Sequence, residues 1–93
     1  MEMNQIDGNN RGEITLFTLS TCIWCKKTKA LLREMAVAYK FVDVDLLEGA
    51  EKEKALDELK RFNPLCSFPS LVVNSTCIIG FDETKIKEAL KGE

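Results

Sequence analysis

Apolar positions along the chain alternate between strand-like and helix-like spacing, and the changes of period mark out its elements. Ile14-Thr15-Leu16-Phe17-Thr18-Leu19 is a β-branched, apolar run, nearly continuous rather than alternating, which predicts a central strand over Glu13 to Leu19. From Ile23 to Met35 the spacing becomes helical, with Leu31, Leu32 and Met35 facing inward and Lys26, Lys27, Lys29 and Arg33 mostly outward. Tyr39 to Val44 alternates at roughly period two and predicts a second strand ending in Asp45; Asp43 and Asp45 share one of its faces and read as surface charge.

Leu46 to Phe62 carries a stripe of Ala55, Leu56, Leu59 and Phe62 opposite a solvated face of Glu48, Glu51, Lys52, Glu53, Lys54 and Lys60, and Asn63-Pro64 stops this second helix. Ser70 to Asn74 reads as a short strand, Ser75-Thr76 as a turn, and Cys77-Ile78-Ile79 as the returning strand of a hairpin. Gly80 breaks that strand, Asp82 is a natural N-cap, and Glu83 to Leu90 is a final helix with Ile86, Ala89 and Leu90 inward. Met1 to Gly12 has no periodicity and reads as a flexible tail, leaving residues 13–93 as the domain. The order β-α-β-α-β-β-α predicts an α/β architecture: a four-stranded mixed sheet flanked by three helices.

Composition narrows the function more than the fold. Ninety-three residues, 45% hydrophobic and 30% charged, suit one ordinary globular domain. A net charge of -2 leaves no basic excess to displace counterions from a phosphate backbone, so nucleic acid is not an expected partner. The polar stretch Met1 to Gly12 has no apolar secretory core and no segment reaches the length of a membrane span, so the expectation is a cytoplasmic protein with no membrane partner and with thiols kept reduced except during turnover.

The chemistry centres on Thr21-Cys22-Ile23-Trp24-Cys25-Lys26-Lys27, where a strand gives way to a helix. Thiols at i and i+3 share one helix face and can reach disulfide distance, as a redox-active pair requires. Cys22 falls at the helix start, where unpaired N–H groups and the dipole favour a thiolate, and Cys25, one turn in, is expected to be more buried and protonated. Such a pair attacks a disulfide with Cys22 and resolves the mixed disulfide with Cys25. Lys26 and Lys27 in the first turn are candidates for stabilising the thiolate, against the plainer reading of a solvated basic face. Trp24 is expected at the rim of the site as a docking surface in preference to core packing. With no histidine in the chain, a Cys/His nucleophile pair is excluded. An all-cysteine zinc site would need Cys66 and Cys77, which have ten residues between them, so no metal is expected. Cys77 reads as a small core residue. Cys66, three residues before Pro69, is either inert, the favoured reading, or a regulatory thiol.

The element order, together with Cys22-Ile23-Trp24-Cys25, Phe68-Pro69 and Gly80-Phe81-Asp82-Glu83, resembles the glutaredoxin family within the thioredoxin fold, over about Glu13 to Lys91. The resemblance implies a cis Phe68-Pro69 bond facing the cysteines, with the Phe68 backbone placed to pair with an extended substrate. It also implies that Gly80, Phe81 and Asp82 meet the γ-glutamyl end of glutathione. The activity implied is reduction of protein or glutathione mixed disulfides, with disulfide-containing proteins as partners and no tightly bound cofactor. Glutathione would serve as co-substrate, or a thioredoxin-reductase-type protein would supply the electrons. A monomer is the default for a domain this small.

The chain departs from the family pattern at Ile23, where proline is common, at Leu19, where Lys or Arg is common, and at Ile79, where glycine usually precedes Gly80. These departures leave the electron donor open. Ile23 also keeps in view an alternative function, binding or carrying a [2Fe-2S] cluster.

Overall fold

The computed structural model describes residues 3–90, so residues 1–2 of the expected tail and 91–93 of the expected domain lie outside the described residues. The elements are β1 (Asn4–Ile6), β2 (Ile14–Thr18), α1 (Ile23–Glu34), β3 (Tyr39–Asp43), a 3-10 turn (Val44–Leu46), α2 (Gly49–Lys60), β4 (Ser70–Val73), β5 (Thr76–Ile79) and α3 (Glu83–Ala89). The sheet order is β1-β3-β2-β4-β5, which puts β2 in the middle, as its continuous apolar run predicted. Strands β2 and β3 are parallel, with Thr15 opposite Lys40 and Thr18 opposite Asp43. Strand β4 runs antiparallel to β2, with Phe17 opposite Ser70, and β5 antiparallel to β4.

Period two sorts the strand residues onto two cores. Ile14, Leu16, Tyr39, Leu71, Val73 and Ile78 point to one face and pack with Leu31, Leu32, Ile86 and Leu90, from α1, α3 and the residue just after α3. Phe17, Val42 and Val72 point to the other face and, with Val44, pack with Ala55 and Leu59 of α2. The sheet is thus covered on both faces, and the helical stripes supply the contacts except at Ala89, expected inward but exposed, because the short α3 turns only Ile86 and the following Leu90 to the core.

The sheet has a fifth strand that hydrophobic pattern did not reveal. Residues 4–6, expected as tail, pair antiparallel with β3, and Asn9 continues along the same edge, accepting from Ala38 N–H and donating to Ala36 C=O at 2.8 Å each. Every residue of β1 is exposed, so no apolar alternation records it. What fixes the chain here is backbone proximity: a Cβ on Gly8 would lie 2.6 Å from the Val37 carbonyl carbon. Two boundaries also differ. The second helix begins at Gly49 because Val44 stays buried in the α2-side core and the chain makes a 3-10 turn first. The hairpin turns at Asn74-Ser75 rather than Ser75-Thr76, because Asn74 takes a φ of 58° that a β-branched threonine resists.

Candidate active site

The C-terminal end of β2 delivers the chain to Cys22, which is the N-cap of α1. Its sulfur accepts the Cys25 amide hydrogen at 3.2 Å, satisfying one of the free N–H groups of the first helical turn with an atom able to carry negative charge. Cys22 N–H in turn donates to Leu19 C=O at 3.1 Å, which closes the loop before the helix. Cys25 is buried, with 0% of its surface exposed. Burial pushes its thiol up to about 12, reinforced by its hydrogen bond to Cys22, so it is protonated across the physiological range. The two sulfurs therefore differ as their positions predicted: one half-exposed at a helix start, one buried and protonated behind it.

The Phe68-Pro69 bond is cis. Since Phe17 pairs with Ser70, the loop before β4 stands at the same end of the sheet as the loop after β2. Gly80, at a φ of 80°, donates its N–H to Pro69 C=O at 2.8 Å, which ties the segment after β5 to the proline. Asp82 caps α3 by accepting from Lys85 N–H at 3.1 Å. Phe81 packs partly against the α1/α3-side core, and its ring stacks on Trp24 with centroids 5.9 Å apart and planes at 24°. Trp24 is 52% exposed, as expected of a rim residue, and the Lys27 ammonium lies 4.9 Å from its ring centroid. Lys26 and Lys27 are both exposed on α1. The Trp24–Phe81 stack bridges the helix start and the Gly80-Phe81-Asp82 segment, two candidate regions that the sequence had left unconnected.

Four polar residues that the sequence assigned other roles hold this geometry. Asp43 and Asp45 are not free surface charges. Asp45 accepts the Ser20 N–H at 2.8 Å and the Ser20 hydroxyl at 2.6 Å, anchoring the loop that precedes Cys22. These bonds hold its carboxyl below the usual aspartate range. Asp43 accepts the hydroxyl of buried Thr18 and pairs with Lys29 at 3.3 Å. Lys29 is accordingly not on the solvated face of α1: its side chain is 27% exposed and its ammonium lies 4.0 Å from the Phe41 ring centroid. Asn63 does more than stop a helix. It is buried, its amide donates to the hydroxyls of Ser67 and Ser70 at 3.0 Å each, and its side-chain carbonyl accepts the Leu65 N–H at 3.1 Å. The Ser70 hydroxyl donates to Ser67 C=O at 2.7 Å, closing a network around the proline loop.

All four cysteines are unbridged. Cys66 has a φ of 51° and, like Cys77, packs against the α2-side core. Burial pushes the Cys77 thiol up. Among the described residues no group of three or more His, Cys, Asp or Glu side chains is placed to hold a metal ion, and no helix is long and apolar enough to cross a membrane.

Comparison with known proteins adds to this geometry. The family model described as Glutaredoxin matches residues 14–78. The crystal structure of Methanosarcina acetivorans methanoredoxin is similar with a TM-score of 0.87 and 49% identity, covering 90% of this chain and 90% of that one. The glutaredoxin of Methanosarcina mazei Go1 is similar with a TM-score of 0.89 and 46% identity, covering 98% of this chain and 89% of that one. Among curated relatives, mitochondrial glutaredoxin-2 of Pongo abelii is 34% identical over 71 residues, 76% of this chain; the match spans 43% of that relative's length.

Proposed function

The chain belongs to the glutaredoxin family, and on that premise we propose that it is a dithiol oxidoreductase that reduces protein or glutathione mixed disulfides through Cys22 and Cys25. The observation that carries this reading is the asymmetry of the pair: the Cys22 sulfur caps α1 and accepts the Cys25 N–H at 3.2 Å, while Cys25 is wholly buried with its thiol held protonated. Cys22 thiolate attacks a substrate disulfide, forming one S–S bond to the substrate and releasing the other substrate sulfur as a thiolate that takes up a proton. Cys25 then loses its proton, attacks the Cys22 sulfur and displaces the second substrate thiol, leaving the Cys22–Cys25 disulfide for an external donor to reduce.

The substrate's main chain is taken to run along Phe68 beside cis Pro69, with Trp24 and Phe81 forming one wall. Gly80 and Asp82 are taken to receive the γ-glutamyl end when glutathione is the co-substrate, and Lys26 and Lys27 to favour the Cys22 thiolate. The setting proposed is a reducing cytoplasm, with the protein acting as a monomer. Glutathione or a thioredoxin-reductase-type protein supplies the electrons.

The test is reduction of a mixed glutathione disulfide with each donor in turn. Turnover with glutathione and its reductase, abolished in Cys22→Ser, would support the reading in full. Turnover with thioredoxin reductase alone would keep the dithiol chemistry and exclude glutathione as donor. Silence with both, in a protein that acquires visible absorption on anaerobic iron and sulfide reconstitution, would replace it with the [2Fe-2S] function.

A further inference from the structure

Lys29 stands four residues after Cys25 on α1, the spacing that puts two side chains one above the other on a helix. Its cation is fixed from outside the helix, by the Asp43 carboxylate of β3 at 3.3 Å and by the Phe41 ring at 4.0 Å, and Asp43 is itself held by the Thr18 hydroxyl of β2. Burial is what chiefly holds the Cys25 thiol protonated, with the hydrogen bond to Cys22 adding to it; of the charged groups, Cys22 raises the thiol further and Lys29, which Asp43 faces, lowers it. Cys22 and Lys29 pull in opposite directions. An anionic Cys22 opposes ionisation of Cys25, whereas the Lys29 charge favours it. Once Cys22 enters a mixed disulfide it can carry no negative charge, and the Lys29 cation, partly offset by Asp43, still favours the Cys25 thiolate.

We propose that Lys29, held by Asp43 one helical turn beyond Cys25, is a positioning cation that speeds the second half of the reaction, in which Cys25 displaces the substrate thiol from Cys22. The inference rests on Cys25 being the resolving thiol. In the step concerned, the Cys25 S–H bond breaks, the new S–S bond forms to Cys22, the Cys22–substrate S–S bond breaks, and the departing thiolate takes up the proton released by Cys25. No oxidant beyond the substrate disulfide is consumed. Lys29 lowers the free energy of the transient Cys25 thiolate and is not needed for the first attack, which uses the Cys22 sulfur at the start of the helix. The arrangement delays Cys25 until Cys22 has reacted.

Stopped-flow reaction with dithiobis-nitrobenzoate separates the two halves without any assumption about the natural substrate. Cys22 attack releases one coloured thiolate, and Cys25 attack on the resulting mixed disulfide releases a second. All arms carry Cys66→Ser and Cys77→Ser so that only the active pair reports. Lys29→Met is expected to slow the second phase about tenfold at neutral pH, as one unit of thiol ionisation would, with the first phase within about twofold. The pH profile of the second phase should move to higher pH by the same unit. Lys29→Arg, which keeps the charge, should restore the second phase to within about threefold of the parent. Equal slowing of both phases, or Lys29→Arg as slow as Lys29→Met, would mean that Lys29 matters only for packing and would overturn the proposal, as would an unchanged second phase in Lys29→Met. Failure of glutathione-disulfide turnover with both phases intact would instead count against the proposed function alone.

Discussion

Two loops stand at the cysteine end of the sheet, and they are held by opposite kinds of polar network. The loop from Leu19 to Cys22 is fastened by carboxylates from β3 and the turn after it: Asp45 bonds Ser20 in the loop itself, and Asp43 bonds Thr18 of β2 and Lys29 of α1 on either side of it. The loop from Asn63 to Pro69 is fastened from within by neutral groups, with Asn63 bonded to Leu65, Ser67 and Ser70. Charged bonds near solvent are weakened by salt and by acid, and replacing one partner leaves the other hydrated. Neutral bonds respond to neither, and losing a member of the buried Asn63–Ser70 contact leaves its partner without water. The loop that carries the reactive sulfur is therefore the tunable one, and the loop that presents the proline is the rigid one.

The largest effect should come from breaking the neutral network at its centre. Asn63→Ala removes three hydrogen bonds at a buried position and leaves the Leu65 N–H without its acceptor. The expected loss is about 2–4 kcal/mol of unfolding free energy, read from urea denaturation with an unchanged slope. A loss of under about 1 kcal/mol would mean that water replaces the amide and the loop is not held from within.

Both networks were hard to read from the chain, for a common reason. Leu31 and Leu32, Ala55 and Leu59, and Ile86 and Leu90 were found because burying an apolar face imposes a period on sequence. Polar support imposes none. Asn63 before Pro64 looks like a helix stop, which it also is, and its burial depends on a loop whose path the sequence does not state. Period two placed Asp43 and Asp45 on one side of the strand line but could not supply their partners, which come from β2, the loop after it and α1. A signal was present nonetheless. Parallel neighbours joined by a helix have their C-terminal ends together, so acids at the end of β3 must lie beside the loop that leaves β2 with the cysteines. The cysteine site was legible because it is local, a helix start and an i, i+3 spacing. The Trp24–Phe81 stack was not, since its partners are far apart in the chain.

A milder break sharpens the contrast. Ser70→Ala removes the hydroxyl that accepts from Asn63 and donates to Ser67 C=O, but leaves Asn63 its bonds to Ser67 and Leu65. About 1 kcal/mol should be lost. Combined with Asn63→Ala the losses should fall short of their sum, because the second change removes groups already unpaired by the first. Strict additivity in the double-mutant cycle would show two independent bonds in place of a network.

The smallest effect at neutral pH, and the one that most clearly separates the two loops, belongs to Asp45. Its carboxyl is fully exposed, yet the two bonds from Ser20 hold its pKa below the ordinary aspartate value. A folded-state pKa depressed relative to the unfolded chain gives stability that is fully present above the unfolded value and is lost as pH falls through the folded one. Wild type should therefore melt above Asp45→Ala at neutral pH, by less than separates wild type from either network variant of the other loop. The two melting curves should converge as acid protonates the carboxylate, and high salt should narrow the gap. The gap between wild type and Asn63→Ala should persist through the same range, because no member of that network titrates there. A gap for Asp45→Ala that survived full protonation would place its contribution in packing, and the division between a tunable loop and a rigid one would fail.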